Sequence, residues 1–220
     1  MNVTLLVDRR ARRLRLRDGR SYDPATRAWG PGDALPDDAE PIAARRALAW
    51  LANAGGVAWR VPVGVIGPRE IDADRFALAE AVGYGLAVAR VPLLCGGRGG
   101  IMEAACIGAA RGGGVSIGLL PEADPSLANA HASLVIATGI GEARNALIAR
   151  ASACLVAIGD SYGTLSEVAL GRQFGKRVIG LAGAARVDGV EHVADVDAAL
   201  ERVAEALLGL APVPPDPAAR

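Results

Sequence analysis

Val91-Pro92-Leu93-Leu94-Cys95-Gly96-Gly97-Arg98-Gly99-Gly100-Ile101-Met102-Glu103 reads in one line as strand, loop and helix start. No charge interrupts the run to Cys95, so the strand is apolar on both faces, as strands inside parallel sheets are. Four glycines then surround Arg98 before an apolar pattern resumes at Ile101. Glycines between a strand and a helix N-terminus let the backbone approach a ligand closely and turn amide N–H groups outward, which suits a phosphate. The stretch is not the dinucleotide fingerprint, because Met102 stands where the third glycine belongs. A tight turn without a ligand would use the same residues.

The alternation continues on both sides. Short apolar runs predict strands at 63–66, 91–95, 115–120, 134–137, 154–158 and 178–181, with another near 192–193. Helical patterns lie between and after them at 72–89, 100–111, 142–151, 164–174 and 197–208. This order predicts an α/β fold, a doubly wound and mainly parallel sheet, over residues 61–210. Residues 1–60 read as a small N-terminal antiparallel hairpin extension, with strands at 2–8 and 13–17, a third at 21–29, a Pro/Gly linker and a helix at 42–52. Arg13-Leu14-Arg15-Leu16-Arg17 alternates strictly, the pattern of a half-exposed strand. The arginines between Arg9 and Arg20 suit a solvated face that resists edge pairing, or an anion or partner surface. Residues 211–220, with four prolines, read as a flexible tail.

Composition excludes several classes. Of the 220 residues 51% are hydrophobic, too many for a disordered chain. Lys+Arg and Asp+Glu both number 24, so a global polyanion-binding surface, and with it a nucleic-acid partner, is not expected. Three widely spaced cysteines, Cys95, Cys106 and Cys154, without a CxxC, predict reduced thiols and no metal site. The apolar run at 3–7 is too short for a signal peptide, and no stretch could span a bilayer. A cytoplasmic protein without a membrane partner is therefore expected.

Two further strand ends carry candidate chemistry. Gly159-Asp160-Ser161-Tyr162-Gly163-Thr164-Leu165-Ser166-Glu167 follows the strand at 154–158. Helix-opening amides at Gly163 and Thr164 could hold an anion. Alternatively, Thr164 and Glu167 form a capping box, with Glu167 tied to the helix start. In Gly139-Ile140-Gly141-Glu142-Ala143-Arg144-Asn145, Arg144 falls in a first helical turn, where a cation opposes the helix dipole. An external anion, or a salt bridge to Glu142 or Glu167, would account for it. Gly171 to Arg177 imitates a P-loop but is one residue short and precedes a strand, and His131 and His192 lack metal-ligand spacing.

The three loops, in this order, resemble the superfamily long called lysine decarboxylase-like and now linked to the Lonely Guy (LOG) proteins. Its hallmark is Pro-Gly-Gly-x-Gly-Thr-x-x-Glu. Here Gly163-Thr164-Leu165-Ser166-Glu167 keeps the second half, while Gly159-Asp160-Ser161 replaces Pro-Gly-Gly. The family's Arg-Lys pair falls on Arg144-Asn145, so the arginine is kept and the lysine is not. Cys95 to Glu103, Gly141 to Asn145 and Tyr162 to Glu167 are more similar still to a sub-branch that holds molybdenum-cofactor carrier-like proteins. The resemblance covers about residues 62–208 and implies a Rossmann-like fold.

It also implies two functions that stay open side by side. One is a nucleotide- or molybdopterin-phosphate-binding carrier or sensor, with the molybdenum cofactor as candidate bound ligand. The other is a nucleoside 5′-monophosphate phosphoribohydrolase that releases free base and ribose 5-phosphate and requires no cofactor. By the resemblance, Glu167 would bind the ribose and support water attack at the anomeric carbon, and Arg144 would sit beside the base. N-glycosidic cleavage passes through an oxocarbenium-like state that a carboxylate stabilises. The phosphate would rest on Gly96, Gly97, Arg98, Gly99 and Gly100, with Met102 and Glu103, and on Asn145, Ser161, Gly163 and Thr164. A pyridoxal-phosphate decarboxylase is not expected, since Lys176, the only lysine, leads into a strand. The proteins it resembles pair through helices, which implies a homodimer or higher homo-oligomer.

Overall fold

The computed structural model describes residues 4–54 and 59–210. The expected start of the first strand at residue 2 and the tail at 211–220 lie outside the described residues. Two sheets account for the strands. The first contains β1 (Leu5–Asp8), β2 (Arg13–Leu16), β3 (Ser21–Asp23), β4 (Ala28–Gly30) and β5 (Glu40–Pro41), and its order is β4-β3-β2-β1-β5. All its pairings are antiparallel. It is larger than a hairpin. The expected third strand at 21–29 is two strands, β3 and β4, divided by a turn whose Asp23 carboxylate accepts from the Ala25 amide at 2.9 Å. The linker contributes β5.

The alternation at 13–17 does not hold at Arg15, which is buried with Leu14 and Leu16. Its guanidinium lies 3.7 Å from the Asp8 carboxylate and donates to the Asp33 carbonyl at 3.1 Å. The linker covers the face that the pattern assigned to solvent.

The second sheet has seven parallel strands: β6 (Val63–Ile66), β7 (Leu93–Cys95), β8 (Ser116–Leu120), β9 (Leu134–Ala137), β10 (Cys154–Ile158), β11 (Arg177–Leu181) and β12 (Val190–His192). Its order is β12-β11-β10-β6-β7-β8-β9. The chain winds outward from β6 to β9, returns to the other side of β6 at β10, and winds outward again. Loops leaving β6 and β10 therefore part toward opposite faces, which opens a crevice at the strand C-termini.

Among the described residues there are six α-helices, α1 (Ala44–Ala54), α2 (Ala73–Val88), α3 (Ile101–Arg111), α4 (Asn145–Ala151), α5 (Tyr162–Gln173) and α6 (Val196–Leu207), of which α1 packs on α6 and the rest flank this sheet. The strands show why both faces must be covered. Along β10, Cys154, Val156 and Ile158 enter one apolar cluster, and Leu155 and Ala157 enter the other. The first cluster also takes residues of α1, α2, α3 and α6 and of the N-terminal sheet (Leu5, Leu14, Tyr22), so that sheet shares its core. The second lies under α4 and α5, with Ile148 and Val168.

Helix starts follow the caps. Asp72 and Asp195 accept from the Arg75 and Ala198 amides at 2.8 Å, opening α2 and α6. α1 starts at Ala44, later than expected. Its amides at Ala44 and Arg45 donate to the two carboxylate oxygens of Glu201 on α6, at 2.7 and 3.1 Å. The helix expected at 142–151 is a 3₁₀ turn, Gly141–Arg144, followed by α4. α2 and α3 lie so close that a Cβ on Gly108 would strike the Glu80 carbonyl, and one on Gly83 the Ala105 carbonyl. Among the described residues no helix is long and apolar enough to cross a membrane.

Candidate functional site

The crevice beside β6 holds a cleft of about 300 Å³. Gly67, Pro68 and Arg69 enter it from the end of β6, Arg98 and Met102 from the segment after β7. Glu142, Arg144 and Asn145 come from the turn before α4, and Ser161, Gly163, Thr164 and Glu167 from the start of α5. The loops after β7 and β10 thus meet in one cleft, although β6 lies between their strands.

Arg144 and Glu167 form its buried pair. They are 4% and 6% exposed, and Arg144 Nη1 donates to Glu167 Oε1 at 3.2 Å. The same nitrogen donates to Asn145 Oδ1 at 2.7 Å, and Nη2 to the Gly96 carbonyl at 3.4 Å. Arg144 Nε is buried with no hydrogen-bond partner among the described residues. Asn145 is anchored through its Nδ2, which donates to Ser166 Oγ at 2.9 Å. Burial pushes the Glu167 carboxyl up from 4.5 to about 7; the Arg144 charge pulls against this, and the Glu142 charge adds to it.

The capping-box alternative is overturned. α5 begins at Tyr162, and Ser161 is its cap: Ser161 Oγ accepts from the Thr164 amide at 3.2 Å. Glu167 therefore lies in the second turn, where it meets Arg144. The Thr164 amide is taken by Ser161, so it is not the open anion donor that the sequence suggested. Thr164 Oγ1 lies 2.9 Å from Ser161 Oγ.

The glycines of the loop after β7 stand behind the cleft's lining. Asn129 donates from Nδ2 to the carbonyls of Gly97 and Arg98, both at 3.1 Å, and the Gly97 amide points at Cys95 Sγ at 3.4 Å. Gly100, at φ +69°, packs where a Cβ would meet the carbonyls of Pro68 and Arg69. The Ile101 amide donates to the Pro68 carbonyl at 3.1 Å. Gly96, Gly97, Gly99, Gly100 and Glu103 are not among the lining residues; the loop's contribution is Arg98 and, just beyond it, Met102.

Arg98 pairs with Glu122 and, at 3.2 Å, with Glu142. Sequence reasoning missed Arg69, Glu122 and Asn129. A Gly-Pro pair directly after an apolar strand is a turn signal, and it could have directed attention to Gly67-Pro68-Arg69.

A larger cavity of about 610 Å³ lies between α1, α2 and α6, lined by Leu48, Ala81 and Leu200 among others. Two of its three lining arginines are paired, Arg45 with Asp197 and Arg111 with Glu80, and its lining takes no residue from the loops that leave the strand C-termini. Among the described residues no group of three or more His, Cys, Asp or Glu could hold a metal ion. Cys95, Cys106 and Cys154 are buried free thiols, as expected.

Residues 60–206 match the model of the SLOG cluster4 family. An uncharacterized protein of Archaeoglobus fulgidus is 39% identical over 128 residues, which are 58% of this chain and 84% of that one. The molybdenum cofactor binding protein of the phototrophic bacterium Rippkaea orientalis superposes with a TM-score of 0.62 at 31% identity, covering 66% of this chain and 96% of that one. The molybdenum cofactor carrier protein of Chlamydomonas reinhardtii gives 0.62 at 32% identity, covering 67% of this chain and 99% of that one.

Proposed function

The chain belongs to the SLOG cluster4 family, and from that premise we propose that it is a cytoplasmic carrier or sensor that binds a phosphorylated small molecule, a molybdopterin phosphate or a nucleotide. The observation that carries this reading is the buried Arg144–Glu167 pair, with Arg144 Nε unpartnered, at the floor of a cleft that Arg69 and Arg98 also enter. A buried guanidinium is held in place for a bound anion or polar ring, and two further guanidiniums suit a phosphate. The molybdenum cofactor as cargo fits this donor set, since its phosphate and its oxyanionic metal end both call for cationic partners. Likeness to a molybdenum cofactor binding protein and a carrier protein supports the same direction.

One observation favours the hydrolase as a second reading. Glu167 has its carboxyl near 7, the range in which an acid–base group works at neutral pH. Equilibrium dialysis against the molybdenum cofactor and against AMP, GMP, CMP and IMP, with free base assayed in the same samples, separates the two. Retention without release of base is expected. Turnover to free base and ribose 5-phosphate would replace the carrier by the hydrolase, and failure to bind any of these ligands would remove both.

A further inference from the structure

Three guanidiniums and two carboxylates line the cleft, and a third carboxylate, Glu122, pairs with Arg98 from outside the lining. Arg69, Arg98 and Arg144 face Glu122, Glu142 and Glu167. Two of the carboxylates are built in: Glu167 is buried on Arg144, and Glu122 is held by Arg98 with its Oε2 buried. Glu142 differs from both. Its side chain is 61% exposed, and it rides on the 3₁₀ turn Gly141–Arg144. Yet one oxygen, Oε1, lies 3.2 Å from Arg98 Nη1 and 3.8 Å from Arg69 Nη2. A single oxyanion thus bridges two arginines brought from the ends of two strands, the geometry a bound phosphate oxygen adopts.

We propose that Glu142 is a built-in stand-in for the ligand's phosphate: it occupies the anion position between Arg69 and Arg98 and leaves when a phosphate monoester binds. This rests on reading the cleft as a phosphate-ligand site. The exchange is favourable for a dianion, which brings two charges and three acceptor oxygens where the carboxylate brought one charge. A singly charged carboxylate ligand would only replace like with like. So exposed an ion pair is weakly held, and Glu142 regains water when it leaves. The residue therefore sets the affinity threshold and selects phosphate over simple carboxylates.

Titration calorimetry at low salt, with inorganic phosphate and AMP as probes and adenosine as an uncharged control, tests this. Glu142→Gln removes the competing charge at an exposed position, so the variant should fold normally and bind both phosphate probes about tenfold tighter, the effect of one charge acting across a few ångströms. The gain should shrink as salt is raised and be absent for adenosine. Arg69→Gln, also exposed, should weaken phosphate binding. If the unsubstituted protein binds AMP, Arg69→Gln weakens it, and Glu142→Gln binds equally or less tightly, the stand-in is refuted while the cleft reading survives. If neither protein binds phosphate or AMP, or Arg69→Gln changes nothing, the cleft reading falls and the stand-in with it.

Discussion

Glu167 and Arg144 each depend on the other, because neither charge has water to fall back on. Removing one partner of such a pair leaves the other buried and uncompensated, a loss of about 3–5 kcal/mol. Glu167→Ala should therefore unfold at clearly lower temperature, in contrast with a surface cap, for which the loss is about 0.5–2 kcal/mol. Glu167→Gln keeps an acceptor for Arg144 Nη1 and should lose less; thermal denaturation of the two variants side by side checks the order. The pH dependence follows from the raised carboxyl. Between 4.5, its ordinary value, and about 7, its value in the fold, the folded protein holds a proton that the unfolded chain has released. Stability contributed by this group therefore falls as pH rises through that window, by at most about 1.4 kcal/mol per unit. Denaturant titrations from pH 4.5 to 8 should show this slope in the natural protein and lose it in Glu167→Gln. An identical profile in both would mean that Glu167 is ionised throughout.

Helices here are positioned by caps and by close backbone contact more than by propensity. Ser161 opens α5 and thereby sets which residues of that helix face the cleft. Ser161→Ala should cost about 0.5–2 kcal/mol by denaturation, with a further loss of ligand affinity because Thr164 and Glu167 lie in the first and second turns of the helix it caps. The contact between α2 and α3 leaves no room for a side chain at Gly108. Gly108→Ala must push two backbones apart, which costs typically about 1–3 kcal/mol, and a variant as stable as the natural protein would show that the helices can slide. α1 is a different case, because its first amides are satisfied by Glu201 of α6, so its start depends on a partner helix being in place.

On the scale of the molecule, β9 stands out. Leu134, Val135 and Ile136 are 55%, 36% and 51% exposed at the edge of the sheet, so a strand with the composition of a buried one is bare on both faces. Ile140 and Leu147 nearby are exposed as well. An open apolar edge invites pairing or burial, and a second copy of the chain is the expected cover. Light scattering should give a particle of at least about twice 22.4 kDa, and Ile136→Lys should shift it toward the monomer. A 22.4 kDa particle at micromolar concentration would refute the association.

What could be read from the chain alone was local. The apolar run Cys154–Ile158, the glycines around Arg98 and the placement of Arg144 and Glu167 are written in neighbouring residues, and the apolar runs with their intervening helices specify the doubly wound sheet. Periodicity is set by neighbours along the chain, so it survives in a bare sequence. The partners of buried charges are not. Arg15 is buried because Asp8 and the Asp33 carbonyl reach it across the N-terminal sheet. Glu167 is no cap, because Ser161 took that place first and Arg144 waited on another element. Arg69, Arg98, Glu122 and Glu142 follow β6, β7, β8 and β9 in turn, and ion pairs link them only because the sheet sets those four strands side by side. Charge compensation depends on distance through space, and that distance exists only once the sheet has chosen its strand order.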